Sequence, residues 1–430
     1  MDAASKHENH LPDLAITSLG APSADSPLTE ARFVNDEERV LVHSRLSDIE
    51  PLIKNSSAPS FEIAGPRRKI FFDPKDLTCG IVTCGGLCPG LNDVIRSVTL
   101  SLLWQYKVKR VIGFRYGYNG ISSNAYEDPI ELTPDTVSAI QHIGGTILGS
   151  SRGPQSPADM VDQLIANNVR ILYIIGGDGT FAGGHDIANE ITKRQLPISV
   201  IGIPKTIDND IYCSEKTFGF GTAVEHARSA IHSAHTEARG AWNGVGLVKL
   251  MGRDSGFIAA SATLANSDVN FCLVPEVPFE LDGRDGFLAR LVDRINRKRH
   301  AVVVAAEGAG RYLEKTGRKD ASGNEIYPDI GFFLKERIRR HFSEQNIPVT
   351  VKYIDPSYMI RSVPANAADS QFCIQLGQNA VHAGMAGKTD MFVAYWNNHF
   401  THVPLAAAVG RRKKLDPASE LWQGVIATTD

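Results

Sequence analysis

Short apolar runs rich in β-branched residues recur along the chain from about residue 68, and longer segments with helical spacing separate them. Nine such runs are CGIVTC (79–84), VKRVIGF (108–114), VRILYIIGG (169–177), ISVIGIP (198–204), VGLVKLM (245–251), VNFCLVP (269–275), HAVVVAAEG (300–308), VTVKYI (349–354) and DMFVAYW (390–396). In one separating segment, residues 286–299, the apolar positions share one helical face; they are Phe287, Leu288, Leu291, Val292 and Ile295. Strands that alternate with helices predict an α/β fold with a mostly parallel sheet covered by helices on both faces.

Residues 1–68 lack this alternation. They are rich in Ser, Pro, Asn, His and acidic residues, with only brief apolar clusters such as Val40 with Leu41 and Leu52 with Ile53. We predict an N-terminal extension that either packs on the surface of the folded part or stays unstructured.

The net charge and the hydropathy of the chain argue against some classes of function. The 430 residues, enough for two or three folded units, carry 45 Lys and Arg against 48 Asp and Glu, a net charge of −3. This balance argues against a nucleic-acid or anionic-membrane partner. We see no membrane-length apolar stretch, no signal-peptide core in the first 30 residues and no peroxisomal tripeptide at 428–430, so we expect a cytoplasmic protein.

Two groups of residues, the cysteines and a basic cluster, have structural rather than functional interpretations. The six cysteines show no disulfide framework, and the Gly-Gly-Leu between Cys84 and Cys88 favours a turn over a metal site. The basic residues 411–414 are interpreted as a solvated helix end rather than a nucleic-acid patch.

Glycine follows several of the predicted strands, where the carboxyl ends of parallel strands form a ligand crevice. GGLCPGLN (85–92) suits a phosphate, because glycine lets backbone N–H groups approach closely, although a tight strand-to-helix turn also needs glycine. In GGDGT (176–180), Asp178 is a candidate Mg²⁺ ligand, and the alternative is a helix cap.

The strand end PKTIDND (204–210) combines two carboxylates, a lysine and a hydroxyl, which together indicate a polar cleft. If a hydroxyl attacks phosphorus here, Asp208 has the chemistry of a general base and Lys205 that of a charge-neutralising cation. An ordinary Asx-rich turn is the alternative.

Later strand ends add Arg253, Glu307 and Arg361, and a glycine-rich loop adds Arg152. The planar guanidinium of arginine suits a phosphate, and a carboxylate suits sugar hydroxyls, so together these residues indicate a phosphorylated polyol as ligand. Each residue taken alone is weaker evidence, because an Arg or Glu just past a strand is often only part of a surface ion pair.

Taken in order, the motifs resemble the 6-phosphofructokinase family, and most of all its long ATP-dependent branch of plants, trypanosomatids and some bacteria. The motifs are GGLCPGLN, GGTILGSSRG, GGDGT, PKTIDND, KLMGRDSGF, PEVPF, AEG and KYIDPSYMIR, and the resemblance spans roughly residues 70–425. It implies two α/β domains, each a mostly parallel sheet sandwiched by helices, with the chain crossing back between them. The implied nucleotide domain is 69–220 plus 359–412, the sugar-phosphate domain is 221–358, and 413–430 is a C-terminal segment.

The resemblance also implies residue roles. Asp208 would be the catalytic base, assisted by Lys205 and Arg152, and Asp178 the Mg²⁺-associated carboxylate. The implied nucleotide positions are Gly85, Arg152, Gly153, Gly177, Asp178, Gly179 and Thr180. The implied sugar-phosphate positions are Thr206, Ile207, Asp208, Met251, Gly252, Arg253, Glu307, Lys352, Tyr358, Met359, Ile360 and Arg361. Lys352 stands where short bacterial members carry an arginine that crosses a subunit interface, and Gly244 replaces a second such arginine.

The implied activity is transfer of the ATP γ-phosphoryl group to the 1-hydroxyl of fructose 6-phosphate in glycolysis, by an allosteric homo-oligomer, most often a tetramer. Two residues bear on the donor: Gly179 leaves room for ATP, whereas Lys205 is the pyrophosphate-type residue. We expect Gly179 to decide, because a carboxylate there would oppose ATP by volume and like charge. A pyrophosphate-dependent enzyme, a non-catalytic regulatory paralogue and a nicotinamide-dinucleotide or lipid kinase are the alternatives. A dehydrogenase is disfavoured because no GxGxxG fingerprint follows a strand.

Overall fold

Two large sheets organise the computed structural model, which describes residues 13–54, 58–313, 318–319, 325–326 and 328–429. The strands are β1 (Thr17–Ser18), β2 (Ala24–Asp25), β3 (Arg39–Leu41), β4 (Ser60–Ile63), β5 (Lys69–Ile70), β6 (Thr78–Thr83), β7 (Arg110–Phe114), β8 (Ile130–Glu131), β9 (Val169–Gly176), β10 (Ser199–Pro204), β11 (Gly244–Leu250), β12 (Phe271–Leu273), β13 (His300–Ala306), β14 (Arg318–Lys319), β15 (Glu325–Ile326), β16 (Thr350–Ile354), β17 (Lys388–Thr389), β18 (Met391–Trp396) and β19 (His399–Pro404).

The α-helices are α1 (Leu46–Lys54), α2 (Leu91–Leu100), α3 (Pro157–Ala166), α4 (Asp178–Lys193), α5 (Phe220–Gly240), α6 (Phe257–Asn266), α7 (Phe287–Lys298), α8 (Ile330–Glu344), α9 (Ser357–Arg361), α10 (Ala367–Met385), α11 (Leu405–Ala408) and α12 (Glu420–Thr428). A π-helical turn, Ser101–Gln105, continues α2, and 3₁₀ turns occupy Pro74–Asp76, Gly117–Ile121 and Ile140–His142.

The larger sheet has nine strands in the order β3-β4-β19-β18-β10-β9-β6-β7-β8. Its five central strands, from β18 to β7, are parallel, whereas the pairs at both edges are antiparallel. The second sheet, β12-β13-β11-β16, is parallel throughout. The α/β class with helix-covered, mostly parallel sheets is therefore confirmed, with antiparallel edges that the apolar runs did not predict.

One of these edges comes from a hairpin. Trp396 of β18 pairs with His399 of β19 across Asn397 and Asn398, whose φ angles are 46° and 63°. A two-residue loop with both residues left-handed matches the twist of antiparallel strands, and asparagine tolerates that conformation.

All nine apolar runs form strands, and α7 buries the five residues predicted to share its inner face. Helices α5 and α8 pack on the second sheet, and α10 packs on α2 and on the larger sheet. This covering explains why the central strands are buried along nearly their whole length.

The described part of the N-terminal extension packs on the folded part. Strands β3 and β4 lengthen the larger sheet, β1 pairs with β17, and Phe61 is fully buried. A buried ion-pair network ties Glu62 to Arg67 and Lys388. Of the two alternatives for the extension, packing is observed for these residues, while residues 1–12 and 55–57 lie outside the described part.

Cys84 and Cys88 are both buried, and burial raises the pKa of each thiol to about 12. Cys88 donates its thiol hydrogen to the Phe218 carbonyl oxygen, 3.2 Å away. Both thiols are therefore protonated at neutral pH.

Among the described helices, none combines the length and the apolar character needed to cross a membrane.

Candidate active site

A cavity of about 710 Å³ opens where β6, β9, β10 and β11 end. The predicted site residues that line it are Gly85, Arg152, Gly153, Gly177, Asp178, Gly179, Thr180, Lys205, Thr206, Ile207, Asp208, Met251, Arg253 and Arg361. The strand ends thus bring together residues that are up to 276 positions apart in the chain, from Gly85 to Arg361.

Three cations converge on the glycine turn after β6. Gly85 has a left-handed φ of 84°, and a Cβ there would lie 3.6 Å from Lys205 Nζ. A Cβ on Gly86 would lie 3.6 Å from Arg152 Nη2 and 3.8 Å from Arg361 Nη1. The glycines therefore leave space that these positive groups surround, as an anion site requires.

None of these three cations is neutralised by an acid in the described part of the chain. The Lys205 side chain, 6% exposed, and the Arg152 side chain form no hydrogen bond or ion pair there, and the buried Nε of Arg361 has no partner. Burial lowers the pKa of Lys205, the nearby charge of Arg152 lowers it further, and the negative charge of Asp208 raises it in part. Because like charges in a sheltered cavity repel, the arrangement favours a strongly anionic ligand.

Asp178 is the first residue of α4, but its side chain does not cap that helix. Its Oδ1 instead accepts a 3.0 Å hydrogen bond from the Gly410 N–H, and its Oδ2 lies 3.8 Å from Arg412 Nε. The helix-cap alternative is therefore wrong. The N-terminus of α4, with Gly177 and Gly179, faces the cavity and adds partial positive charge there.

The hydrogen bonds that hold the turn after β10 do not use the Asp208 carboxylate, although the Asp208 N–H donates to Thr206 Oγ1 at 3.2 Å. Thr206 Oγ1 donates to Asp210 Oδ1 at 2.7 Å, Asn209 Oδ1 accepts from the Thr217 N–H at 3.0 Å, and Thr217 Oγ1 donates to the Thr206 carbonyl at 2.8 Å. Oδ1 of Asp208 is buried without a partner among the residues that the structure describes. An orphaned buried carboxylate oxygen is costly unless a ligand uses it, so the geometry favours a chemical role over an ordinary turn.

The electrostatic surroundings of Asp208 favour a proton acceptor. Burial raises the pKa of its carboxyl well above the usual range. The negative charges of Asp210, Glu307 and Asp254 raise this pKa further, whereas the Arg412 guanidinium lowers it in part. A base with a raised pKa holds a proton more readily than an ordinary aspartate.

Six predicted positions do not line the cavity. Gly252 and Glu307 lie beside it, where the Gly308 N–H donates to the Gly252 carbonyl at 3.0 Å. Tyr358 and Met359 are 74% and 72% exposed, Ile360 is buried in the apolar core, and Lys352 pairs with Glu237 at 3.3 Å.

The sequence interpretation missed the C-terminal contribution. Arg412 lines the cavity and pairs with Asp254, and Lys413 Nζ donates to the carbonyls of Ser214 and Glu215 at 2.8 and 2.9 Å. Burial lowers the pKa of Lys413 to about 8. The solvated-helix-end interpretation is wrong for these two residues, because the segment returns to the site through an antiparallel bridge between Ile211 and Arg412.

Residues 78–384 match the family model described as Phosphofructokinase. The chain belongs to the phosphofructokinase family. This phosphofructokinase is 46% identical to the ATP-dependent 6-phosphofructokinase of Borreliella burgdorferi, over 99% of this chain and 97% of that protein. It is 46% identical to the ATP-dependent 6-phosphofructokinase of Trypanosoma brucei brucei, over 97% of this chain and 87% of that protein. It is 47% identical to ATP-dependent 6-phosphofructokinase 5, chloroplastic, of Arabidopsis thaliana, over 85% of this chain and 68% of that protein.

Solved structures agree on the fold. The pyrophosphate-dependent phosphofructokinase of Marinobacter aquaeolei superposes with a TM-score of 0.66 at 21% identity, covering 80% of this phosphofructokinase and 88% of that chain. Phosphofructokinase from Saccharomyces cerevisiae superposes with a TM-score of 0.61 at 23% identity, covering 77% of this chain and 44% of that chain. The resemblance inferred from the strand-end motifs is confirmed, and the nicotinamide-dinucleotide kinase, lipid kinase and dehydrogenase alternatives are wrong.

Proposed function

We propose that this phosphofructokinase transfers the γ-phosphoryl group of ATP to the 1-hydroxyl of D-fructose 6-phosphate, giving fructose 1,6-bisphosphate and ADP in glycolysis. One observation carries the proposal: Asp208, whose buried Oδ1 has no partner among the described residues, shares a cavity with Lys205, Arg152 and Arg361, which form no ion pair with an acid in that part of the chain. A base and a set of cations in one cleft are the parts that phosphoryl transfer to a hydroxyl needs. The full-length relatives named ATP-dependent 6-phosphofructokinase support the same reaction.

The nucleotide phosphates would lie along the turn after β6 and the N-terminus of α4. The residues we assign to them are Gly85, Arg152, Gly153, Gly177, Asp178, Gly179 and Thr180. Backbone N–H groups at the start of a helix, together with Arg152, stabilise negative charge without any large rearrangement.

Mg²⁺ fits the donor set at this end of the cavity. The described residues hold no cluster of three or more His, Cys, Asp or Glu side chains, so a dedicated protein cage is absent from that part of the chain. Mg²⁺ typically uses one or two carboxylates and completes its shell with substrate phosphates and water, and Asp178 supplies such a carboxylate. Bound there, Mg²⁺ would reduce the negative charge of the phosphates.

The sugar phosphate would occupy the side of the cavity formed by Thr206, Ile207, Met251, Arg253 and Arg361. Arg361 and Arg253 have the charge for the 6-phosphate, and Glu307 beside the cavity suits sugar hydroxyls. Contacts from Gly252, Lys352, Tyr358, Met359 and Ile360 remain predictions from the family resemblance.

In the reaction that we propose, Asp208 accepts the proton of the attacking 1-hydroxyl. The cations Lys205 and Arg152 offset the charge of the transferring group and of the leaving diphosphate. The Thr206, Asn209 and Thr217 hydrogen bonds hold the turn so that the Asp208 carboxylate stays oriented. Positioning and electrostatics would supply most of the acceleration, without a covalent intermediate.

ATP is the donor that the space in the cavity favours. A Cβ built on Gly179 meets no heavy atom within 4 Å, so the wall is open at that point. Pyrophosphate is the second candidate, and Lys205 is the residue that favours it.

Four further assignments are part of the proposal and follow from the family resemblance. They are a nucleotide domain of residues 69–220 plus 359–412 with a sugar-phosphate domain of 221–358, a homotetramer, allosteric control, and a cytoplasmic location. Light scattering on active enzyme tests the assembly, and a solution containing only monomer would contradict it.

A coupled assay tests the reaction. Purified enzyme, Mg²⁺ and fructose 6-phosphate are supplied with ATP or with pyrophosphate, and bisphosphate formation is followed. We expect turnover with ATP and at least tenfold lower kcat/KM with pyrophosphate. Turnover with pyrophosphate alone would show that Lys205 governs the donor, and turnover with neither would support a regulatory paralogue.

A further inference from the structure

The segment 410–412 enters the active-site cavity from the C-terminal part of the chain. Strand-like pairing joins Arg412 to Ile211, and the Lys413 N–H donates to the Asp210 carbonyl at 2.9 Å. The half-buried Lys413 ammonium donates to the Ser214 and Glu215 carbonyls. These contacts hold the backbone of Arg412 directly against the turn that carries Asp208.

The Arg412 guanidinium lies between two carboxylates but is not saturated by them. Nη1 donates to Asp254 Oδ2, while Nε is 3.8 Å from Asp178 Oδ2, too far for a hydrogen bond. Among the described residues this is its single hydrogen bond, although a guanidinium offers five N–H donors. The side chain is 33% exposed and lines the cavity, so the remaining donors are open to a ligand.

Arg412 has different neighbours from the three cations that surround the glycine turn after β6. Lys205, Arg152 and Arg361 surround residues 85–86, whereas Arg412 contacts Asp254 and approaches Asp178. A donor phosphate between Asp178 and Asp208 would meet negative charge from both. A cation with spare donors at this point offsets that repulsion, and its influence on the pKa of Asp208 shows that its charge reaches the catalytic carboxylate.

We propose that Arg412 binds the terminal phosphate of the nucleotide and that Asp254 is its positioning residue. The inference rests on the proposed function, since it assumes a nucleoside triphosphate in this cavity. Asp254 Oδ1 also pairs with Arg311 at 3.4 Å, so the carboxylate is held through one oxygen while its other oxygen, Oδ2, accepts from Arg412. Bidentate contact from a planar fork suits the terminal phosphate, which carries three free oxygens.

Equilibrium titration tests the assignment without turnover. ATP and ADP dissociation constants are measured with Mg²⁺ and without sugar phosphate, and fructose 6-phosphate is titrated separately. Arg412→Gln should weaken ATP binding by about 10- to 100-fold, the range of a charge-assisted hydrogen bond, and ADP binding by less than about threefold. Arg412→Lys should recover part of the ATP affinity.

Two further variants separate the roles. Arg411→Gln is the matched control, because Arg411 is exposed, stacks on Tyr212 and does not line the cavity. It should bind ATP as the wild type does. Asp254→Asn should also weaken ATP binding, but by less than Arg412→Gln. The double variant should bind ATP only slightly more weakly than Arg412→Gln, because the effects of two coupled residues do not add.

The outcomes are distinct. Unchanged ATP affinity in Arg412→Gln would reduce Arg412 to a structural ion pair, and equal losses for ATP and ADP would place it away from the terminal phosphate. Equal loss of nucleotide and sugar phosphate with a lower Tm would show a folding role and overturn the proposal. Failure of the wild type to bind ATP would instead overturn the proposed function.

Discussion

Gly179→Asp is the substitution for which the structure gives the cleanest test of donor choice. Gly179 is the second residue of α4, its φ is not left-handed, and its Cβ would meet no heavy atom within 4 Å. An aspartate in the first turn of a helix is also favourable, by about 0.3–1 kcal/mol. We therefore expect the variant to fold with an unchanged or slightly raised Tm, so that any loss of activity arises in the cavity.

The expected loss follows from Coulomb's law. The new carboxylate would stand at the N-terminus of α4, in the space assigned to the nucleotide phosphates. At about 4 Å from one phosphate charge and an effective dielectric constant of about 20, the repulsion is about 4 kcal/mol. Since about 1.4 kcal/mol corresponds to a tenfold change, kcat/KM for ATP should fall by about 10³-fold.

The assay compares kcat/KM for ATP in the wild type, Gly179→Asp, Gly179→Asn and Gly179→Ala. Asparagine has nearly the volume of aspartate without the charge, so it should lose at least tenfold less than aspartate, and alanine should be close to the wild type. Retention of ATP activity by Gly179→Asp within about threefold would refute the placement of the phosphates. An equal loss in Gly179→Asn would refute the electrostatic reasoning.

Four further predictions concern the acceptor side. Asp208→Asn should lower kcat by at least about 10²-fold with little change in KM, because a general base acts in the transition state; a near-normal kcat would exclude that role. Arg361→Ala should raise KM for fructose 6-phosphate by about 10- to 100-fold and change KM for ATP much less. An unchanged KM for fructose 6-phosphate would show that the sugar phosphate binds elsewhere. Because the pKa of Asp208 is raised, kcat should fall as the pH is lowered, starting at higher pH than for an ordinary aspartate. Glu307→Gln removes a neighbouring negative charge, lowers that pKa and should shift the acid limb of kcat to lower pH; a shift to higher pH would contradict the electrostatic account.

Local patterns predicted much of the fold. All nine apolar runs form strands, most of them buried on both faces, although β16 exposes Thr350 and Lys352; the inner face of α7 was also predicted correctly. The antiparallel edges were missed because β3, β4 and β19 mix polar and apolar residues without a long apolar run. The Asn397-Asn398 turn is the local signal that predicts β19.

The candidate site was predictable where it depends on strand ends. Gly85, Asp178 and Asp208 each follow a different central strand of the larger sheet, and its parallel topology brings them to one edge. Met251 follows β11 of the second sheet and lines the same cavity. Arg412 follows an antiparallel strand and a short helix, and no local pattern indicates that its segment returns to the turn after β10.

The central claim is that ATP phosphorylates fructose 6-phosphate through this cavity. The most direct measurement is ³¹P NMR of the purified enzyme with Mg²⁺, ATP and fructose 6-phosphate, with Asp208→Asn as the inactive control. We predict that the ATP signals convert to those of ADP while a second phosphomonoester signal, from the C1 phosphate of the bisphosphate, grows in equal amount. Loss of the γ-phosphate signal to inorganic phosphate, or no change with ATP while pyrophosphate yields the bisphosphate, would contradict the account.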